Sequence, residues 1–480
     1  MVSYAVLGRL IMNVAEEVIG VPLSRTRSTR AELLVWVGVS FVSFRVANAE
    51  PALRPLMLFY VFGMCRLAWR VSVREGFYFG VFAGFLCFAS ELTFFWRIFG
   101  PAAIVLWLVL AFWSGSSVGL LSWVRQGWGR VAFVASAPVV WLGLEYFRSE
   151  LYALRFAWST AGAGLVEFGV WGMAGLGAYG AGALLALVAS WLCSGRLRHG
   201  LVGAFVAVAI LSVGRFDTSE EGAIDSGIRI GGVQLEFPSR STILSALDRL
   251  VFLHPEIDLI VLSEYSLATK PTPEIKRWCL EHGKFLAIGG KDSQGDGSYY
   301  NTVFVVGPEG ETVFKQAKSA PIQFFDDGEP APNQRVWNSP WGKIGFAICY
   351  DLSFTRVMDE LVRQGAQLLV VPTMDVEEWG AREHALHARI APLRAAEYQV
   401  PIFRLASSGI SQSVDARGVV KCEAPFPGQG EVLYDEIALV AAGRLPVDRY
   451  LGPVASCLVG CLVIVCLFAS RNPKRGTREN

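Results

Sequence analysis

Three residues in the second half of the chain are of types that together attack a carbonyl: Glu264, Lys318 and Cys349. Each closes a β-rich run. Glu264 ends "IVLSE", Lys318 ends "ETVFKQAK" and Cys349 ends "GFAIC". A free cysteine is usually a small buried hydrophobe, and a reactive one needs polar surroundings. A carboxylate within hydrogen-bond reach can take the thiol proton. A nearby ammonium favours the thiolate. The same ammonium, with a backbone N–H, can hold the oxyanion formed when sulfur attacks a carbonyl. Lys315, in the same run, competes with Lys318. His384 and His387 stand three apart on a helical pattern without a third ligand at metal spacing, so they read as packing or hydrogen-bonding groups and no metal is expected. Arg394 and Glu397, at i and i+3, read as a structural ion pair.

Elements that place residues at strand ends are easy to find around these three. Runs at 228–235, 257–263, 285–290, 301–307, 343–349, 366–373 and 401–408 read as buried strands. Helical patterns lie between them. In "SFTRVMDELVRQG", Phe354, Val357, Met358, Leu361 and Val362 recur at helical spacing and Gly365 marks the end. Strands alternating with helices predict a layered α/β domain over 227–445, and functional residues of such sheets gather at the carboxyl ends of strands.

The rest of the chain is of another kind. Of 480 residues, 53% are apolar and only 18% charged, with 15 Trp and 31 Phe. That composition suggests a membrane, and the formal net charge of +1 gives no argument for nucleic acid. A spanning helix needs about 20 mostly apolar residues. Seven candidates precede the α/β block, at 31–47, 52–69, 77–96, 101–124, 131–147, 177–194 and 200–214, and an eighth follows at 449–470. Arg25, Arg27, Arg66, Arg70, Arg74, Arg125, Arg130, Arg196, Arg198 and the tail cations Arg471, Lys474 and Arg475 then share one side. By the positive-inside rule that side is cytoplasmic. The expected order is a cytoplasmic segment 1–30, a membrane domain 31–215, the outer block, a last span and a cytoplasmic tail 471–480. Glu91 and Glu145 fall near outer span ends and read as interfacial acids. The Gly-rich stretch 148–176 reads as a loop on the outer surface. Nine cysteines at scattered positions form no disulfide framework.

The order Glu264, Lys318, Cys349 on strand ends resembles the nitrilase superfamily of carbon–nitrogen hydrolases. The pieces that carry this are "GVQLE", "SEYSLA", "YYNTVFVVGPEGE", "GKIGFAICYDLSF", "GAQLLVVPTMD" and "RAAEYQVPIFRLASSGIS". Eight spans around such a domain resemble its apolipoprotein N-acyltransferase branch. The resemblance implies a polytopic helical membrane bundle joined to an αββα sandwich. It also implies a ping-pong transfer through a Cys349 thioester, with no cofactor. The acyl donor would be a membrane phospholipid and the acceptor the N-terminal amine of a diacylglyceryl-cysteine lipoprotein, at the periplasmic face of a bacterial inner membrane. In that scheme Glu264 is general base and acid, Lys318 and the Tyr350 N–H hold the oxyanion, and a second acid stands between Lys318 and Cys349. Glu329 is the candidate for it, with Asp326 competing. Tyr350, Asp351 and Trp379 become candidate pocket residues. The family's Lys-to-Glu spacing differs in "KQAKSAPIQFFDDGEP", and its Asn-Asp-Trp segment is matched only by Asp375 and Trp379 in "TMDVEEW". Those departures keep two alternatives open: a membrane-tethered amidase or nitrilase, and an inactive lipoprotein-binding module.

Overall fold

The computed structural model describes residues 29–168, 172–194 and 223–471. Residues 1–28, the expected span at 200–214 and residues 472–480 lie outside the described residues. The chain opens with a helical bundle. Helix α1 (Arg30–Ala49) starts where the Thr29 side chain accepts the Glu32 N–H. A 3-10 turn at Pro51–Leu56 leads into α2 (Met57–Arg70). Helix α3 (Val73–Glu91) begins in a capping box between Ser72 and Glu75. A short α4 (Phe94–Phe99) precedes α5 (Ala103–Tyr146), and α6 (Gly172–Cys193) follows.

Helix α5 is two antiparallel halves. Gly129 breaks it with φ 79° and ψ −163°, a backbone open to glycine because it has no Cβ. The Trp113 ring lies 5.5 Å from that of Phe147. Along one continuous helix those residues would stand roughly 50 Å apart, so the chain reverses at Gly129. The expected spans at 101–124 and 131–147 are these halves. Among the described residues, five stretches are long and apolar enough to cross a bilayer: Arg30–Ala49, Pro51–Arg70, Phe94–Leu151, Gly175–Cys193 and Asp448–Ala469. The third contains both halves of α5. Helix α3 packs among them, with Arg74, Glu75 and Glu91 at its ends.

The second half is two six-stranded sheets face to face. The first has the order β12-β1-β2-β3-β4-β5, from β1 (Ala223–Val233), β2 (Leu259–Val261), β3 (Phe285–Ser293), β4 (Tyr299–Val306), β5 (Thr312–Ala317) and β12 (Val432–Val440). The second runs β11-β10-β9-β8-β7-β6, from β6 (Val336–Ser339), β7 (Gly342–Phe346), β8 (Leu368–Thr373), β9 (Ile402–Ala406), β10 (Ser411–Val414) and β11 (Val420–Ala424). In each, the central three strands are parallel and the flanking pairs antiparallel. Side chains alternate as strand geometry requires. Leu259 and Val261 join the core between the sheets, whereas Ile260 and Leu262 face outward. Helices α7 (Arg240–Leu253) and α8 (Pro273–His282) cover that outer face through Ile243, Leu247, Leu250, Ile275 and Trp278. Helices α9 (Thr355–Arg363), α10 (Ala381–Ala388) and α11 (Ile390–Tyr398) belong to the other sheet. The result is the expected αββα sandwich. Helix α12 (Asp448–Arg471) then returns to the bundle.

The stretch after α5 is not a surface loop. It is wedged between bundle and sandwich, because its polar groups find partners on both sides. The Trp158 indole donates to Ser353 Oγ at 2.9 Å, and Thr355 N–H donates to Glu150 at 3.2 Å. Glu145 accepts the Ala161 N–H at 2.9 Å. Glu91 is fully buried, paired with Arg45 at 2.6 Å and with Arg382 of the sandwich. Both acids are therefore anchors, held by partners within the protein.

Candidate active site

Each of the three expected residues is held by a loop just past its strand. Glu264 follows β2, in a turn where Tyr265 has φ 56°. Gly289 on β3 passes beneath it so closely that a Cβ there would lie 2.6 Å from the Glu264 Cα. Lys318 directly follows β5, its N–H donating to Asn301 O at 2.8 Å. Cys349 opens a 3-10 turn (Cys349–Ser353) after β7 with φ 51°, a left-handed backbone uncommon for a residue with a Cβ. Asp351 fixes that turn. Its carboxylate accepts N–H groups from Ser319 at 3.0 Å, Ala320 at 2.6 Å and Ile348 at 3.2 Å. The nucleophile's turn and the segment after Lys318 are thus tied through one side chain.

The polar side chains converge on Lys318. Lys318 Nζ lies 2.8 Å from Glu264 Oε1 and 2.7 Å from Asp327 Oδ2, and its side chain is wholly buried. Asn301 Nδ2 donates to both carboxylates, at 2.5 and 2.8 Å. Met374 N–H donates to Glu264 Oε2 at 2.8 Å, and Tyr265 Oη to Asp327 Oδ1 at 2.9 Å. Burial opposes the Lys318 charge, but Glu264, Cys349 and Asp327 outweigh it and hold the ammonium well above its usual range. Burial likewise works against ionised Asp327, and Lys318 more than offsets it, so this carboxyl titrates below its usual range. Cys349 goes the other way. Burial and the Glu264 charge push its thiol well above the usual value, against the pull of Lys318. The resting nucleophile is therefore a thiol, and it needs a base at the moment of attack.

Of the competing residues, Lys318 is the buried lysine. Lys315 is half exposed and paired with Asp292 at 2.6 Å. The acid that this segment brings to Lys318 is neither Glu329 nor Asp326. Both are exposed, and Asp326 reaches only Lys291, at 3.9 Å. Asp327 takes that place because the turn through Gly328 (φ 77°) directs it inward. Asp351 is a buried tether and not a pocket wall. Arg394 and Glu397 pair at 2.5 Å, as expected. Asn301 and Tyr265 are site residues that spacing alone did not single out.

Two cavities meet at this cluster. The first is apolar and built jointly by bundle and sandwich; Phe94, Phe99, Leu110, Trp158, Tyr350 and Cys349 are on its wall. The second is bounded by Phe237, Glu264, Tyr265, Lys291 and Asp327. Ile322, Phe325 and Trp379 belong to both walls. Cys349 is thus on the wall of the first cavity and Glu264 on the wall of the second.

Asp375, Glu383 and His384 bring ligand atoms within 4.8 Å of one another. Asp375 already accepts from His387 at 2.7 Å and from the Arg404 guanidinium. A metal ion would have to displace a cation that is itself buried, so the group is an ion-pair cluster.

The family described as carbon–nitrogen hydrolase matches residues 257–446. The sandwich is a carbon–nitrogen hydrolase domain. The whole chain is similar to the apolipoprotein N-acyltransferase of Geobacter metallireducens, 24% identical over 90% of this chain and 94% of that protein. The hydrolase domain alone is similar to omega-amidase NIT2-B of Xenopus laevis, 32% identical over 105 residues, or 37% of that protein. Among solved structures, Nit3 of Saccharomyces cerevisiae, of the nitrilase superfamily, aligns over 44% of this chain and 90% of its own, with TM-score 0.39 and 22% identity. The resemblance read from the sequence therefore holds over bundle and hydrolase domain together.

Proposed function

We propose that this protein N-acylates lipoproteins, taking the acyl chain from a membrane phospholipid and passing it through a Cys349 thioester to the N-terminal amine of diacylglyceryl-cysteine. One observation carries the reading: Cys349 opens onto an apolar cavity that the bundle and the hydrolase domain build together. A soluble amide would need no such wall, whereas an acyl chain from a bilayer would.

Glu264 takes the thiol proton as sulfur attacks the ester carbonyl. The oxyanion lies against the Lys318 ammonium and the Tyr350 N–H, where charge stabilisation in a buried site is strong. The C–O bond breaks as the alcohol takes a proton from a second acid of the site, and the thioester remains. The acceptor amine then attacks the same carbonyl and returns a proton to that second group. The thiolate leaves and recovers the proton held by Glu264. By the positive-inside rule the arginine-rich helix ends would be cytoplasmic, which supports a hydrolase domain on the periplasmic face.

Incubation with phospholipid followed by intact-mass measurement tests this. The wild type should gain one acyl chain, Cys349→Ser should gain none, and added lipopeptide should discharge the adduct to an amide. Free fatty acid without amide product would instead identify a hydrolase using water. Labelling Asp296→Cys in intact spheroplasts with a membrane-impermeant maleimide should succeed, because the residue is on an exposed loop of the hydrolase domain. Labelling only after lysis would reverse the topology.

A further inference from the structure

Besides the thiol proton, both half-reactions move a proton at the substrate. The departing alcohol must gain one, and the incoming amine must lose one. Glu264 borders the second cavity and Cys349 the first. On the sulfur's own side stands a different proton-carrying group. His387, on α10, lines the apolar cavity beside Cys349 and is almost completely buried. The Cys349 Sγ, a carboxylate oxygen of Asp375 and a ring nitrogen of His387 lie within 4.8 Å of one another.

The imidazole is oriented as a proton-transfer group would be. Asp375 Oδ1 lies 2.7 Å from Nδ1, which leaves Nε2 as the working nitrogen. Nε2 is buried with no hydrogen-bond partner, a costly state for a polar atom unless something comes to meet it. Asp375 is itself fixed by the Arg404 guanidinium and by its N–H donating to Ser407 Oγ at 3.1 Å. Trp158, with its ring centroid 5.1 Å away, packs against the imidazole and holds its plane.

We propose that His387, oriented by Asp375, is a second acid–base group of the acyl transfer, serving the substrate's oxygen and nitrogen while Glu264 serves the sulfur. The inference rests on the acyl-transfer reading above. The cycle begins with the thiol proton on Cys349 and a transferable proton on His387 Nε2. Sulfur bonds to the carbonyl carbon as its proton passes to Glu264. The C–O bond breaks as the leaving oxygen takes the proton from Nε2. In the second step the amine bonds to the thioester carbon and gives a proton to the now unprotonated Nε2. The C–S bond breaks and sulfur takes its proton back from Glu264. Every group ends as it began.

A general acid matters only when the leaving group is poor. His387→Gln and His387→Asn are therefore compared with wild type on two donors, monopalmitoylglycerol and p-nitrophenyl palmitate, by the rate of Cys349 adduct formation. Nitrophenolate leaves unaided, so its rate should stay near that of wild type, which also shows that the variants are folded. The glycerol ester should acylate roughly 100-fold more slowly, within the range that loss of one acid–base group causes. A ratio of the two rates equal to that of wild type in both variants overturns the proposal. Neither donor is a phospholipid. A wild type that accepts both yet ignores phospholipid would overturn the donor assignment and leave the role of His387 standing.

Discussion

Glu264→Gln separates two effects that Glu264 has on Cys349. The carboxylate is the base for attack, and its charge also raises the thiol pKa. Removing the charge should lower that pKa, so the pH profile of Cys349 alkylation by iodoacetamide moves to lower pH while acyl transfer falls about 100-fold or more. Lys318→Met removes the group that lowers the pKa, and the same profile should move to higher pH. A shift in the same direction for both would contradict this electrostatic assignment. Asp327→Asn should cost at least about tenfold in adduct formation, since it weakens the clamp on the oxyanion-holding ammonium. Asp326→Asn and Glu329→Gln, both exposed, should stay within about twofold of wild type. Glu264, Lys318 and Cys349 were legible because strand ends announce them. Asp327 was not, because the Asp326–Asp327 pair offers two equal acids and only the Gly328 turn chooses between them. Asn301 sits within β4, where a buried amide looks like any polar interruption of an apolar run.

At the scale of elements, the joint between bundle and hydrolase domain is a buried charge network. Arg449, at the start of α12, contacts Asp359 at 3.1 Å, Glu397 at 3.0 Å and Asp448 at 2.6 Å, and Glu397 also holds Arg394 and the Ala178 N–H. Asp359 belongs to α9, Arg394 and Glu397 to α11, and Asp448 stands beside Arg449 on α12. Removing one member of such a network leaves buried charges uncompensated, at about 3–5 kcal/mol. Arg449→Met should therefore lower the melting temperature in detergent clearly, whereas exposed Arg417→Met should not. Hydropathy gave the helices, including both halves of α5, because an apolar stretch declares itself locally. The Arg394–Glu397 pair was legible at i,i+3 spacing. The partners Arg449, Asp359 and Glu150 were not, since only the docking of α12 and the 148–168 segment onto α9 and α11 brings them together. The same docking explains why that Gly-rich segment read as a surface loop: its polar groups meet partners far away in sequence.

At the scale of the whole molecule, the apolar cavity is the part that neither half could build alone. Phe94, Leu106 and Val109 come from the bundle, Phe156 from the wedge, and Ile322 and Cys349 from the hydrolase domain. Narrowing it from the bundle side tests whether acyl chains occupy it. Val109→Trp, a half-buried position, should shift competition between long- and short-chain donors toward the short, with little change in alkylation of Cys349. Unchanged chain preference would place the acyl chain elsewhere. The roof over this cavity has one more result. Oxidants attack thiolates that they can reach, and Cys349 is buried, protonated at rest and walled by aromatic rings. A nucleophile kept in this way should outlast peroxide and stray disulfides between turnovers, so the arrangement that delays its ionisation until a substrate arrives also keeps it reduced.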